Sequence, residues 1–311
     1  MLKLAPQPLN GNAKSLDSLP PLIVRLIESS EEKVSLKKTP YTPKGVEYSY
    51  FREPLGINNI HQADLLGPRY IKNDGRFYSL HIIDLYSHRV FIHPQRRKDD
   101  ESVAKGLLRC WKTMGLPDFL PLDNELSFRG SNRYPRSFGI VLRLCLSLEI
   151  EVVFIPIGEP WRNGTVERFN DTYEGRFYRT QWFRSYRHLR SQSKNFELFP
   201  NKNHRYSCLK GKTPLQVIQE NGFRPMLPPP RYQLSQVGPE IPAGTISLIR
   251  FIRSDRKLDI FGEHFTVPKA LIYSYVRAKI LTDLHQIQLY HGEEWVTTFS
   301  YQLPPWMDLN S

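Results

Sequence analysis

The sequence has no run of about twenty apolar residues, the length a helix needs to cross a bilayer. Its first fifteen residues, MLKLAPQPLNGNAKS, lack the continuous apolar segment of a secretory signal. The only three cysteines, Cys110, Cys145 and Cys208, lie far apart and form no zinc-ligand spacing. These absences argue against a membrane span, a signal peptide and a cysteine-rich metal site, and they favour buried free thiols in a reducing compartment.

Positive charge, in contrast, is abundant and concentrated. The 311 residues carry 43 Lys and Arg against 31 Asp and Glu, a formal net charge of +12. The window from Arg162 to Lys212 holds 12 basic and 4 acidic residues, and therefore +8 of that charge. A localised basic segment is typical of proteins that bind nucleic acid, although basicity alone can also serve solubility.

The apolar pattern divides the chain into four segments. Residues 1–57 carry too little apolar material for a core of their own, and Leu19–Ile27 predicts one short helix. Residues 58–222 show strand and helix patterns, and the proline-rich residues 223–243 are typical of a stiff linker. Residues 244–305 contain five or six short strands, which predict a small β-barrel.

Within residues 58–222 the predicted order is three strands, a helix, a strand, a helix, a strand and a long helix. Short turns, among them Gly67-Pro68 and Asn73-Asp-Gly75, imply that the first three strands form an antiparallel meander. The later helices and strands are typical of right-handed crossovers. The last helix is predicted to run from about Arg162 towards Leu189, with a bend near Gly175.

Three carboxylates stand at positions that such a sheet can bring together. Asp64 lies in the first predicted strand, Asp123 ends the fourth, and Glu167 falls just inside the helix that follows the fifth. A carboxylate near a helix start also has a purely structural explanation, because it favours the helix macrodipole. A cluster of three acids is costly unless divalent cations neutralise it, and Mg²⁺ or Mn²⁺ prefers such oxygen ligands.

The motifs around these acids resemble the DDE catalytic core of retroviral-type integrases and insertion-sequence transposases. The resemblance rests on His61-Gln-Ala-Asp64, Leu122-Asp-Asn124, Pro160-Trp-Arg-Asn-Gly-Thr-Val-Glu-Arg-Phe-Asn170 and Lys210-Gly-Lys-Thr-Pro214. It implies an α/β, ribonuclease H-like fold, a mixed five-stranded sheet with flanking helices, followed by a small SH3-like β-barrel. It also implies that Asp64, Asp123 and Glu167 are catalytic and hold two Mg²⁺ or Mn²⁺ ions.

The sequence departs from that family at three points. Glu125 follows Asp123-Asn124 where the family usually has glycine, so a tight turn is expected to be lost and an extra negative charge added. The spacing from Asp123 to Glu167, 44 positions, is longer than in retroviral integrases. No His-His-Cys-Cys module precedes the core, and we interpret Leu19–Ile27 as the remnant of a helix-turn-helix region.

Several residues near the predicted site are candidates for DNA contacts. On one continuous helix, five arginines would fall within an arc of about 100°; the alternative is a solvated face. Asn124 and Asn163 are either turn and cap residues or residues that support the catalytic acids and contact DNA. The predicted DNA-binding residues are Asn124, Asn163, Arg168, Arg176, Arg179, Arg187, Arg190, Lys210 and Lys212.

Three functions fit these patterns. The first is a metal-dependent DNA transposase or integrase that cuts and joins element ends and target DNA, as a homo-oligomer in a synaptic complex. The second is a decayed or repurposed transposase that only binds DNA. The third is a simple nuclease, which leaves the C-terminal barrel unexplained. For the first we expect a cytoplasmic, nucleoid-associated protein in a prokaryotic host and no membrane partner.

Overall fold

The computed structural model describes residue 50, residues 53–130 and residues 136–304. The predicted helix at Leu19–Ile27 lies outside the described residues, as does most of the predicted N-terminal extension. Among the described helices, none is both long enough and apolar enough to span a membrane.

The first three strands form the predicted antiparallel meander. They are β1 (His61–Ile71), β2 (Gly75–Asp84) and β3 (Val90–Gln95), in the order β1-β2-β3. The predicted strand end at Gly67-Pro68 is wrong: β1 continues past it, with an irregularity in its pairing to β2 between Leu66 and Arg69. The turn at Asn73-Asp-Gly75 is present, and both Asn73 and Gly75 have positive φ angles.

Two parallel strands complete the core sheet. They are β4 (Phe119–Leu122) and β5 (Glu151–Phe154). A parallel bridge between Ile60 and Phe119 joins β4 to the start of β1, and the Phe119 amide donates to the Asn59 carbonyl at 2.9 Å. The result is the predicted mixed α/β, ribonuclease H-like arrangement of five strands, with the order β3-β2-β1-β4-β5.

Six α-helices flank the strands in the described part of the chain. They are α1 (Asp100–Met114), α2 (Leu126–Arg129), α3 (Ile140–Ser147), α4 (Gly164–Arg176), α5 (Tyr186–Leu198) and α6 (Pro214–Glu220). Helix α1 begins at Asp100 because the Asp99 side chain caps its first turn, and Gly115, with φ 101°, ends it. Helices α1 and α3 cover one face of the sheet, and α4 and α5 cover the other.

The predicted long helix is two helices. Helix α4 ends at Arg176, a short 3₁₀ turn follows at Tyr178–Thr180, and α5 begins at Tyr186. On a straight helix, Phe177 and Phe183 would lie about 120° apart. The break lets both rings enter one buried cluster, where their centroids are 5.2 Å apart. Burial of two aromatic side chains therefore outweighs continuation of the helix.

The C-terminal segment forms six strands, compatible with a small SH3-like fold. They are β6 (Thr245–Phe251), β7 (Lys257–Ile260), β8 (Glu263–Thr266), β9 (Tyr275–Leu281), β10 (Gln286–His291) and β11 (Glu294–Ser300). Strand β6 also pairs in parallel with β5, and Val152 stands opposite Ile246. One continuous sheet, with the order β11-β10-β9-β6-β5-β4, therefore extends from the core into this segment. The boundaries of the predicted linker and barrel stay predictions.

Candidate active site

Asp64 lies in the middle of β1 and faces helix α4. Its neighbours Ala63 and Leu65 belong to the cluster under α1 and α3, so the strand alternation turns Asp64 to the opposite face. The Leu65 amide donates to Asp64 Oδ1 at 2.8 Å, and Asn170 Nδ2 on α4 donates to Oδ2 at 2.5 Å. Burial is the largest influence on the pKa of Asp64 and raises it, whereas these hydrogen bonds oppose the rise.

Asn170 is itself held by a buried histidine on β2. His81 Nδ1 lies 2.6 Å from Asn170 Oδ1, and His81 stands opposite Asp64 in the strand pairing. Burial lowers the pKa of His81 to about 4, so the ring is neutral at neutral pH and its Nδ1–H donates to the amide oxygen. The amide nitrogen is thereby directed at Asp64. His81 thus has a positioning role.

Asp123 follows directly after β4, where the chain leaves the sheet. The Glu125 amide donates to Asp123 Oδ1 at 3.1 Å. Burial, the largest cause, and the negative charges of Asp64, Glu125 and Glu167 together raise the pKa of Asp123 to about 6. Its carboxyl group therefore lies within electrostatic reach of all three acids.

Glu167 is in the first turn of α4 and is half-buried. Burial raises its pKa first, and repulsion from Asp64 and Asp171 adds to the rise. Asp64 thus acts on both Asp123 and Glu167, and Glu167 acts on Asp123. The structure brings the three predicted carboxylates into one electrostatically coupled cluster.

The start of α4 is fixed to β1 by amide side chains. Gln62 Oε1 accepts from the Val166 amide at 3.2 Å, and Gln62 Nε2 donates to the Arg162 carbonyl at 3.2 Å. Asn163 Nδ2 donates to the Ala63 carbonyl at 3.0 Å. These bonds hold Glu167 beside the strand that carries Asp64.

The charge and the donor atoms of this cluster suit divalent metal ions. Carboxylate oxygens are what Mg²⁺ and Mn²⁺ prefer, and the pKa values of all three acids are raised, first by burial and then by neighbouring negative charges. Within the described residues, however, no group of three or more His, Cys, Asp or Glu side chains is arranged to hold an ion. The side chains would have to close around a bound ion.

Glu125 has an unstrained backbone. Its φ is −65°, an ordinary value for any residue, and it is the cap residue of α2. The loss of a tight turn relative to the family stays a prediction. The expected extra negative charge is present, since Glu125 raises the pKa of both Asp64 and Asp123, although Lys98 Nζ lies 3.3 Å from its carboxylate.

The predicted DNA-contacting arginines do not form a single helical stripe, because the helix is broken. Arg168 and Arg176 are exposed on α4 and line a groove of about 350 Å³ that also contains His88 and Tyr206. Arg179 lies in the 3₁₀ turn, and its Nη2 is 2.7 Å from Glu174 Oε2.

The remaining basic candidates lie elsewhere on the surface. Arg187 and Arg190 are exposed on α5, on the other side of the helix break from Arg168. Lys210 is exposed in a left-handed backbone conformation, and Lys212 pairs with Glu220. Contact of any of these residues with DNA stays a prediction.

The two asparagines among the candidates are engaged within the protein. Asn163 occupies the cap position of α4 but makes no side-chain capping bond there, so the predicted capping role is wrong; it is buried against β1 instead. Asn124 Nδ2 donates to the Ile155 carbonyl at 2.8 Å, and its Oδ1 accepts from Arg250 Nη2 at 2.9 Å.

Two nearby acids have structural partners. Asp84 accepts from the amides of Asn58 at 3.0 Å and Ser87 at 2.9 Å, as a residue that caps a turn does. Glu174 is buried and binds Arg69 and Arg179.

Sequence reasoning missed three residues that organise the site. Gln62 and Asn170 stand inside the motifs that carry the resemblance, and Asn170 is one helical turn after Glu167, so their positions gave a usable signal. Arg250, in contrast, is 126 positions from Asn124 and carries no local signal.

Part of this chain matches a known protein family. Residues 148–214 match the family model of the integrase core domain, a segment that contains Glu167 and the whole basic window. The resemblance inferred from the motifs is thus confirmed for this segment. Asp64 and Asp123 lie outside the matched residues. A comparison with curated proteins finds no match.

Solved structures of viral integrases resemble the chain at low identity. The catalytic core domain of HTLV-2 integrase in complex with magnesium is 19% identical, with a TM-score of 0.39, over 53% of this chain and 98% of that one. A chain of the simian T-cell lymphotropic virus intasome in complex with PP2A regulatory subunit B56 gamma is 17% identical, with a TM-score of 0.45, over 87% of this chain and 88% of that one. The catalytic core domain of BIV integrase is 17% identical, with a TM-score of 0.38, over 53% of this chain and 96% of that one.

Proposed function

We propose that this chain is a DNA transposase or integrase that cuts and joins DNA strands by metal-dependent phosphoryl transfer. The observation that carries the proposal is that Asp64, Asp123 and Glu167 lie within electrostatic reach of one another; burial first, and then these neighbouring charges, raise the pKa of Asp123 to about 6. Three acids from separate elements form a cluster that burial and mutual repulsion make unstable without cations. The integrase-core match over residues 148–214 supports the same function.

Asp64, Asp123 and Glu167 would hold two Mg²⁺ or Mn²⁺ ions. Such ions, when bound, activate an attacking hydroxyl and stabilise the leaving oxygen of a phosphodiester. Asn170 directs one edge of the Asp64 carboxylate, and Gln62 holds the start of the helix that carries Glu167. The protein's own contribution is to keep three negative groups close together in a partly buried site.

The DNA partner is supported by charge. The window from Arg162 to Lys212 carries a net +8 and begins beside Glu167, so phosphates drawn to it would lie near the carboxylates. Joining two element ends to one target requires more than one active site, so we propose a homo-oligomer in the synaptic complex.

The test is a strand-transfer assay with Mg²⁺ or Mn²⁺. Labelled duplexes carrying the sequences that flank the gene would be incubated with supercoiled plasmid, and joined products would be separated from nicked ones. We expect Asp64→Asn, Asp123→Asn and Glu167→Gln each to abolish joining while DNA binding stays within a few-fold of wild type. Asp171→Asn, an exposed acid four positions after Glu167, is the matched control and should retain joining.

Each outcome bears on a separate part of the proposal. Full joining by one of the three variants would remove that residue from the site, and nicking without joining would favour a simple nuclease. DNA binding without cleavage at any metal concentration would favour a repurposed DNA-binding protein. Two features favour that second candidate: the added negative charge of Glu125, and the described acids' lack of an arrangement ready to hold an ion.

A further inference from the structure

Arg250, on strand β6 of the C-terminal segment, is buried beside the candidate active site. Only 4% of the residue is exposed. Its guanidinium donates to the carbonyls of Asp259 at 2.9 Å, Ile249 at 2.9 Å and Ile155 at 3.3 Å, and to Asn124 Oδ1 at 2.9 Å. All four of these acceptors are neutral oxygens, so they do not form an ion pair of the kind that ordinarily accompanies a buried arginine.

Two of these bonds reach chain segments next to the proposed catalytic carboxylates. Asn124 follows Asp123 directly, and Ile155 follows β5, the strand that leads to the helix with Glu167. Asn124 Nδ2 also donates to the Ile155 carbonyl at 2.8 Å. Arg250, Asn124 and the Ile155 carbonyl therefore form a closed triangle of hydrogen bonds that joins the carboxyl ends of β4 and β5.

A fixed guanidinium suits this task. Its planar fork of N–H groups can bond several acceptors at set angles, which the single ammonium of lysine cannot reproduce. Burial lowers the pKa of Arg250 to about 10, so the group stays protonated at neutral pH and all its N–H donors remain available. Nearby Asp259 offsets part of the cost of this buried charge.

We propose that Arg250 is a positioning residue, through which the C-terminal strands hold the Asn124 loop and with it the carboxylate of Asp123. The C-terminal segment is then a structural part of the active site, in addition to any contact it makes with DNA. The catalytic consequence rests on the proposed function, whereas the positioning itself can be measured without activity.

The first experiment is hydrogen exchange of the purified full-length chain. In Arg250→Met, whose unbranched apolar side chain can occupy the buried space, we expect faster amide exchange at residues 123–128 and 155–160. Exchange in β2 should be unchanged. Arg277→Met is the matched control, since Arg277 lies on neighbouring β9 and its side chain pairs with Glu293 instead of the loops. Unchanged exchange at residues 123–128, or a uniform rise throughout the chain, would overturn the proposal.

The second experiment is a double-mutant cycle on strand transfer. Arg250→Met and Asn124→Ala should each lower the rate, by up to about 100-fold for a displacement near 1 Å. The double variant should be no slower than the worse single variant, because both changes remove one shared contact. Arg250→Lys, which retains the charge without the fork, should recover only part of the rate. Multiplicative losses in the double variant, or full recovery by lysine, would contradict the positioning role.

The two experiments separate this inference from the proposed function. If the wild-type chain joins no DNA, the proposed function fails, but hydrogen exchange still decides whether Arg250 holds the Asp123 loop. If joining is normal in Arg250→Met, the positioning role fails while the proposed function stands.

Discussion

Asn170 Nδ2 lies 2.5 Å from Asp64 Oδ2, and this bond joins the helix that carries Glu167 to the strand that carries Asp64. A flip of the Asn170 side-chain amide would break a second hydrogen bond, because His81 Nδ1 lies 2.6 Å from its oxygen. Three side chains from β2, α4 and β1 thus set the orientation of one proposed catalytic carboxylate.

Loss of this amide should shift the pH dependence of catalysis. The hydrogen bond from Asn170 lowers the pKa of Asp64, so Asn170→Ala should raise that pKa further. The acidic limb of the strand-transfer rate should then move to higher pH, together with a loss of rate. The measurement is the rate from about pH 5.5 to pH 8.5.

A buried asparagine on the same side of the sheet supplies the control for this shift. The Asn201 side chain bonds both the amide and the carbonyl of Val90 at 2.8 Å. Both bonds therefore lie outside the three proposed catalytic acids. Asn201→Ala should lower stability without moving the acidic limb. An equal shift in both variants would mean that the Asn170 effect is one of general stability.

Asp123 should make the unfolding free energy depend on pH. Its folded pKa of about 6 exceeds its ordinary value of 3.8, so between these values the folded state holds a proton that the unfolded state has lost. Stability should therefore fall as pH rises through this window, by about 2 to 3 kcal/mol for a shift of this size.

Replacement of Asp123 by asparagine should remove this dependence. Without added metal, Asp123→Asn should be more stable than wild type at pH 7, and the difference should disappear near pH 4. Urea unfolding at the two pH values measures it. A divalent ion should stabilise wild type at pH 7 by about 1.4 kcal/mol at tenfold its dissociation constant, and the variant by less. No pH dependence of the difference would contradict the raised pKa.

The sequence pattern was sufficient to predict that the three acids could meet, because strand order and helix starts limit where such residues lie. The choice of Asp64, Asp123 and Glu167 as catalytic acids came from the motif resemblance and stays a prediction. The turn predicted at Gly67-Pro68 failed for a different reason: pairing with β2 carries the strand past it with only an irregularity. At this position the pairing of β1 with β2 outweighs the local turn propensity of Gly67-Pro68.

Contacts between distant parts of the chain could not be predicted. Arg250 meets Asn124 only because β6 pairs with β5. The hydrophobic periodicity of a sequence does not predict which distant strands pair in parallel. The break after α4 was missed for a similar reason. Only the buried positions of Phe177 and Phe183 reveal that a straight helix would leave one of them outside the cluster.

The salt dependence of DNA binding should distinguish the exposed arginines of α4 from Arg179, which pairs with Glu174. Arg168 and Arg176 are exposed and line the groove, so Arg168→Gln and Arg176→Gln should each lower the slope of log K against log salt by about one. Arg179→Gln should change it less, because Glu174 already holds that guanidinium. Fluorescence anisotropy from about 50 to 200 mM salt measures the slopes. Equal slopes for wild type and both α4 variants would instead identify a solvated face.

The hydroxyl group of Tyr275 should contribute to stability through a buried acid that precedes α4. It donates to Glu159 Oε1 at 2.6 Å, and Glu159 is 5% exposed. Tyr275→Phe leaves that oxygen without this donor, which should lower the unfolding free energy by about 1 to 3 kcal/mol. Burial raises the pKa of Tyr275 to about 12, so the difference should stay constant from about pH 7 to pH 9.

A tyrosine on the neighbouring strand supplies the matched control for Tyr275→Phe. The Tyr290 hydroxyl bonds Gln288 Oε1 at 2.7 Å on the same strand and is only partly buried. Tyr290→Phe should therefore cost less than about 1 kcal/mol, because water can replace the lost partner. Urea unfolding of the two variants and wild type decides the question. Equal midpoints and slopes for wild type and Tyr275→Phe would show that Glu159 does not depend on this bond, and that the C-terminal strands do not support the start of α4 through it.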